Sequence, residues 1–182
     1  QRLGGFGWTL PAELSAACLR MRFLGMLTLL LLVLQLALGG WTSANYAALA
    51  CPDFPLCQEQ LLPEVNFAQG FNFTQQIGPN YLGGMLDNQG RTAIHLTHRI
   101  GALIVSLTII LMAIRLWGLG CRQARNLSLS LVGLLALQIA LGVSNIVFGL
   151  PLAVAVAHNA VGALLLLTVV MVNHRLRTVK TQ

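Results

Sequence analysis

The chain has 182 residues, of which 56% are hydrophobic and only 9% charged, against roughly 25% charged in a soluble globular domain. Eleven Lys and Arg with five Asp and Glu are too few to coat a hydrated surface, so a water-soluble fold is excluded and a membrane protein remains. The formal charge of +6 sits in short clusters beside apolar runs, a pattern of membrane topology and not of a nucleic-acid-binding face.

A hydrocarbon layer about 30 Å thick takes about 20 apolar residues in helix, and four runs of that kind follow one another. Residues 1–21, with turn residues Gly4, Gly5, Gly7 and Pro11, are expected to be a cytoplasmic linker; because the chain opens on Gln1 and not Met, a piece of a longer protein is the expectation. The first span is Phe23 to Gly40. It is longer than the roughly 7 to 15 apolar residues of a signal peptide, so it reads as a retained helix. The polar stretch Trp41 to Arg91 comes next and carries Asp53, Glu59, Glu64 and Asp87, four of the five acidic residues. The remaining spans are Thr92 to Trp117, Leu127 to Phe148 and Leu152 to Val172, joined by short loops, and residues 174–182 form a tail. The fold class expected is an all-α membrane protein, a four-helix transmembrane bundle over residues 22–173.

Orientation follows from the basic residues beside the spans. Arg20, Arg22, Arg115, Arg122, Arg125, Arg175, Arg177 and Lys180 fall on one side, and Arg91 and Arg99 on the other. Both termini are therefore expected in the cytoplasm and loop 41–91 outside. The expected location is a bacterial inner membrane or its equivalent, with the loop in the periplasm.

The sequence repeats internally. Leu34-Gln35-Leu36-Ala37-Leu38-Gly39 in the first span corresponds to Leu137-Gln138-Ile139-Ala140-Leu141-Gly142 in the third. In the second and fourth spans, His98 precedes Gly101-Ala102-Leu103 and His158 precedes Gly162-Ala163-Leu164. Two hairpins related by a pseudo-twofold axis each offer one His.

An unpaired imidazole in hydrocarbon loses its water and gains nothing, so His98 and His158 should face the interior. Counted from Thr92 and Leu152, each lies roughly 9 Å below the outer surface. Two imidazoles at one depth on facing helices suit bis-histidine haem ligation, with small residues lining the macrocycle and Arg99 placed to meet a propionate. The bland reading is that both His residues only hydrogen-bond neighbouring helices. His95, about 60° around the helix from His98, is expected to be a structural or propionate-contacting residue. His174 falls among the solvated cytoplasmic basic residues. Gln35, Gln138, Asn145 and Asn159 read as interhelical hydrogen bonders.

Cys51 and Cys57 stand six positions apart in an external, oxidising compartment, where a disulfide is the default. Two prolines stiffen the intervening loop. A redox-active thiol pair is the sharper alternative. Cys18 and Cys121, on the other side, should be free thiols.

Leu38-Gly39-Gly40-Trp41-Thr42-Ser43-Ala44-Asn45, Cys51-Pro52-Asp53-Phe54-Pro55-Leu56-Cys57, His95-Leu96-Thr97-His98-Arg99 and Pro151 to Asn159 resemble the carboxy-terminal half of the heme A synthase family, the CtaA-type cytochrome oxidase assembly proteins. The resemblance covers nearly the whole chain from Arg22 onward. It implies a complete protein of eight helices in two similar halves that oxidises a methyl group of haem O to the formyl group of haem A. It further implies a haem b held by His98 and His158, and a Cys51–Cys57 disulfide. The family's catalytic half carries Glu three residues before its His-Arg pair. Here that position is His95, so this chain is similar to the cofactor half. Implied partners are the membrane, an amino-terminal catalytic half or second four-helix unit, haem O synthase and an electron donor; no nucleic acid is expected. Two other functions stay open: a bis-histidine membrane cytochrome exchanging electrons with quinone, and a quinone-linked thiol oxidase using Cys51 and Cys57.

Overall fold

A computed structural model describes residues 9–10, 12–74, 86–178 and 180–181. In chain order these form β1 (Thr9–Leu10), α1 (Ala12–Ala44), α2 (Phe67–Gly70), α3 (Asn88–Trp117), α4 (Arg122–Val147), α5 (Leu152–Arg177) and β2 (Lys180–Thr181). Among the described residues, four helices are long and apolar enough to cross a membrane: Cys18–Ala44 of α1, and the whole of α3, α4 and α5. At 1.5 Å per residue even the shortest outruns the hydrocarbon layer. The protein is thus an all-α membrane protein, save for the two-residue parallel pair β1·β2, which joins Thr9 to Lys180 and Leu10 to Thr181.

Helix limits exceed the apolar runs because polar residues with good caps extend a helix beyond its lipid-facing part. α1 begins at Ala12, inside the stretch expected to be linker, directly after Pro11, where Ala, Glu and Leu favour helix. α3 begins at Asn88, because the Asp87 carboxylate caps it by accepting from the Gly90 N–H at 2.7 Å. The short α2 is capped likewise by Asn66, whose side chain accepts from the Gln69 N–H at 3.0 Å. Between α4 and α5, Gly149 and Leu150 take positive φ and Pro151 stops the chain from continuing as helix.

The chain divides into two compact units. The first comprises residues 1–33, 104–137 and 161–182. Its interior is aliphatic, with Ile109, Met112, Leu116, Leu131, Leu165 and Leu176 almost fully buried. Asn173 Nδ2 donates to the Gly25 and Val169 carbonyls at 3.0 and 2.9 Å. The second unit comprises residues 34–103 and 138–160. In it, Ala47 of loop 45–66 forms a small core with Leu86 and Ile94, against which Trp41 and Phe71 pack. Trp41 Nε1 donates to the Gly70 carbonyl at 2.9 Å, pinning α2 to the end of α1. All the candidate ligands lie in this second unit.

Candidate functional site

Each half of the repeat builds the same small seat. In the first, Gln35 on α1 places its Nε2 3.0 Å from His98 Nδ1 on α3 and donates to the His98 carbonyl at 2.9 Å. One turn along α1, a Cβ on Gly39 would come within 3.2 Å of His98 Cε1. In the second, Gln138 on α4 places its Nε2 3.2 Å from His158 Nε2 on α5, and a Cβ on Gly142 would come within 3.2 Å of His158 Cε1. Gln and Gly four residues apart share a helix face, so each odd span offers an amide and a gap, and each even span offers the imidazole. The two imidazoles also lie within electrostatic range of one another.

Counted from the helix starts, His98 lies ten residues after Asn88 and His158 six after Leu152. Matching depth from the helix starts therefore does not relate them. The matching seats do.

The seats differ in how far they satisfy themselves. His158 Nδ1 and Gln138 Oε1 are buried without a hydrogen-bond partner, as is Asn145 Oδ1 on the same helix as Gln138. Each such atom costs about 1–3 kcal/mol unless something pairs it. His98 and His158 are both half-buried.

His95 and Arg99 point to a different structure. His95 is buried, at 4% exposure, and its Nδ1 lies 3.2 Å from the Cys51 N–H. Arg99 Nη1 donates to the Leu56 carbonyl at 2.7 Å, and Nη2 to the Cys51 and Asp53 carbonyls, each at 2.8 Å. Its Nε stands 3.3 Å from His95 Nε2, and Phe54 packs on the guanidinium. Most of the Arg99 donor fan is thereby engaged by the loop, a use that composition and spacing gave no sign of.

The loop is closed by the Cys51–Cys57 disulfide, with Cα atoms 4.5 Å apart. Gln58 and Glu59, both at positive φ, turn their N–H groups onto the Asp53 carboxylate at 2.6 and 2.8 Å. Gln58 Nε2 reaches the Ala50 carbonyl and Thr92 Oγ1. Desolvation works against ionisation of Asp53, yet the Glu59 and Gln58 N–H bonds, its own backbone and the Arg99 charge hold the carboxyl below its ordinary range. Cys18 is a buried free thiol and Cys121 a half-buried one, both in the first unit. Asn159 is exposed.

Among the described residues no group of three or more His, Cys, Asp or Glu comes together to hold a metal ion. A bare transition metal needs three or four protein ligands. A pair of imidazoles, one of them with an orphaned nitrogen, fits instead a metal that brings its own equatorial donors, as haem iron does. Fold and site together define a four-span membrane protein with a paired-imidazole seat.

Comparison with known proteins agrees with that class. The family model described as COX15-CtaA, cytochrome oxidase assembly protein, matches residues 5–170. The chain is similar to heme A synthase of Shewanella oneidensis, at 46% identity over 151 residues, covering 83% of this chain and 45% of that protein. It is also similar to heme A synthases of Nitrosospira multiformis, at 31% over 159 residues, 86% of this chain and 41% of that one, and of Methylobacterium radiotolerans, at 28% over 180 residues, 96% and 46%. The chain belongs to the COX15-CtaA family of cytochrome oxidase assembly proteins. It spans about half the length of these curated relatives. No solved structure matches it.

Proposed function

We propose that this chain is the haem-b-binding half of a heme A synthase, an oxidoreductase that uses O2 to convert the haem O methyl group to the formyl group of haem A for cytochrome oxidase. The observation that carries the reading is the pair of Gln-seated imidazoles, His98 and His158, in a chain whose curated relatives are heme A synthases. When bound, the haem supplies a one-electron centre whose potential is set by its axial ligands and burial.

The chain's own residues bind and shield. His98 and His158 would hold the haem iron, with the small Ala102 near His98 leaving room for the macrocycle. Arg99 clamps the disulfide loop onto α3 through three loop carbonyls, and its charge would be available to a propionate. His95 carries that clamp and lies outside the coordination sphere. Loop 41–91 lies on the outer, periplasmic side, a placement favoured by the division of basic residues and by the Cys51–Cys57 bridge. Both cysteines are almost wholly buried, at 0% and 2% exposure, which weighs against a thiol oxidase that must meet its substrate there. Substrate, a second four-helix unit, haem O synthase and the electron donor are partners of the complete protein.

The test is to extract haems from cells with and without the full-length gene. Loss of haem A with accumulation of haem O is the expected result. An unchanged haem pool would leave the bis-histidine cytochrome exchanging electrons with quinone as the better reading.

A further inference from the structure

The geometry points to Gln35 and Gln138 as positioning residues that fix the ring rotation of His98 and His158, with Gly39 and Gly142 keeping open the slot for each imidazole edge. This rests on the haem-binding reading above. The internal repeat then has a chemical meaning: Gln-x-x-x-Gly is a ligand seat, duplicated with its hairpin.

Three observations support it. Each Gln side chain reaches the imidazole of the neighbouring span, and in both seats the Nε2 atom makes the approach. Each Gly presents its bare Cα to the same edge of the ring, at Cε1, at the same spacing. Gly101 completes the first seat, because any Cβ there would run into the Gln35 side-chain oxygen. Ordinary interhelical hydrogen bonds would not repeat the residue pair, the spacing and the approach to an imidazole nitrogen in two hairpins, to Nδ1 of His98 in one and Nε2 of His158 in the other.

The two seats are not equivalent. Gln35 is held at two points, by the His98 ring and by the His98 carbonyl, so the rotation of the His98 ring is set, with Nδ1 accepting from the amide. Gln138 has one bond, and its own Oε1 and the His158 Nδ1 are both left over. An imidazole that gives Nε2 to iron carries its proton on Nδ1 and needs an acceptor there. A turn of the His158 ring lets Gln138 Oε1 accept the Nδ1–H, pairing both orphaned atoms in one bond and releasing Nε2. His98 keeps its ring rotation, and His158 is the imidazole that reorients as the site fills.

The experiment uses the full-length protein purified with its haem and carrying Gln138→Leu, Gln35→Leu, Gln138→Glu or Gly142→Ala. Readouts are haem retention, the electron paramagnetic resonance of the low-spin ferric centre, and its midpoint potential. Gln138→Leu should hold haem ten- to hundredfold less tightly, the range found for partners of metal-bound His, and should alter the low-spin signal of the haem that remains. Gln138→Glu, which keeps an acceptor for Nδ1–H, should restore retention and lower the midpoint by about 59 mV for each tenfold shift of the ferric-to-ferrous ratio. Gly142→Ala should alter the low-spin signal while the protein stays folded. If Gln138→Leu and Gly142→Ala leave signal, midpoint and retention at wild-type values, the Gln residues are only interhelical bonds and the inference fails. His98→Ala and His158→Ala, run beside them, separate the cases: haem retained there at full stoichiometry overturns the haem-binding reading itself. Where Gln138→Leu does not accumulate, Gln138→Glu and Gly142→Ala decide.

Discussion

One helix, α3, supplies two polar structures that differ in a way that bears on function. His95 and Arg99 enter a closed network, in which Arg99 meets three loop carbonyls, His95 meets the Cys51 N–H and Arg99 Nε, and Asp53 takes two backbone N–H groups. His98, three residues from His95, enters an open one, whose second member His158 has a buried nitrogen without a partner. A saturated network explains itself by the fold it stabilises. A buried polar group left over in hydrocarbon is tolerated only where something else completes it. The contrast teaches that proximity in sequence does not assign a histidine to a site; the partners its ring already has do so.

Substitutions should therefore separate into two classes, open-network changes that remove haem and closed-network changes that loosen the loop. The largest effect is expected for His98→Ala and His158→Ala, which should abolish bis-histidine haem while leaving the Cys51–Cys57 bridge intact. Visible spectra and haem stoichiometry of the purified full-length protein check the first part, and mass spectrometry without reduction checks the second. Loss of the bridge together with the haem would erase the distinction between the networks.

Arg99→Leu should do the reverse. It leaves three loop carbonyls without their charged donor, a cost of about 3 kcal/mol, or about a hundredfold more frequent opening of the loop. Proteolysis of loop 51–60 or the rate at which the bridge is reduced measures this, and the low-spin haem spectrum should persist. A smaller loss, about 1–2 kcal/mol, is expected for His95→Ala, which unpairs the Cys51 N–H. Its bis-histidine spectrum should remain. Disappearance of that spectrum would place His95 in the coordination sphere and end the comparison.

The smallest effect sharpens the closed side. Asp53 is held below its ordinary carboxylate range, so its contribution to loop stability is full above the unfolded value of about 3.9 and is lost as pH falls through the lower folded value. Cleavage of loop 51–60 by an acid-active protease should accelerate in the wild type as pH falls through that value, and Asp53→Asn should flatten the dependence.

Much of this was legible from residues alone. Length and hydropathy determined four spans, since any helix in hydrocarbon must satisfy its own backbone and needs a fixed apolar length to do so. The repeat of Leu-Gln-x-Ala-Leu-Gly and of His before a Gly-Ala-Leu stretch singled out His98 and His158, and the cysteine spacing indicated the bridge, which is present. Helix ends were misplaced where caps such as Asp87, and not hydropathy, set them. Only the tertiary structure decided which atoms meet. Arg99 reads as a propionate partner because it adjoins His98; the structure adds what the sequence does not show, three loop carbonyls that its guanidinium meets. Gln35 and Gln138 looked like interhelical bonds because a sequence shows a polar residue but not its partner across the hairpin. Their identity as seats for two imidazoles depends on contacts between residues 63 and 20 positions apart, which only the packing of one helix on another can bring together.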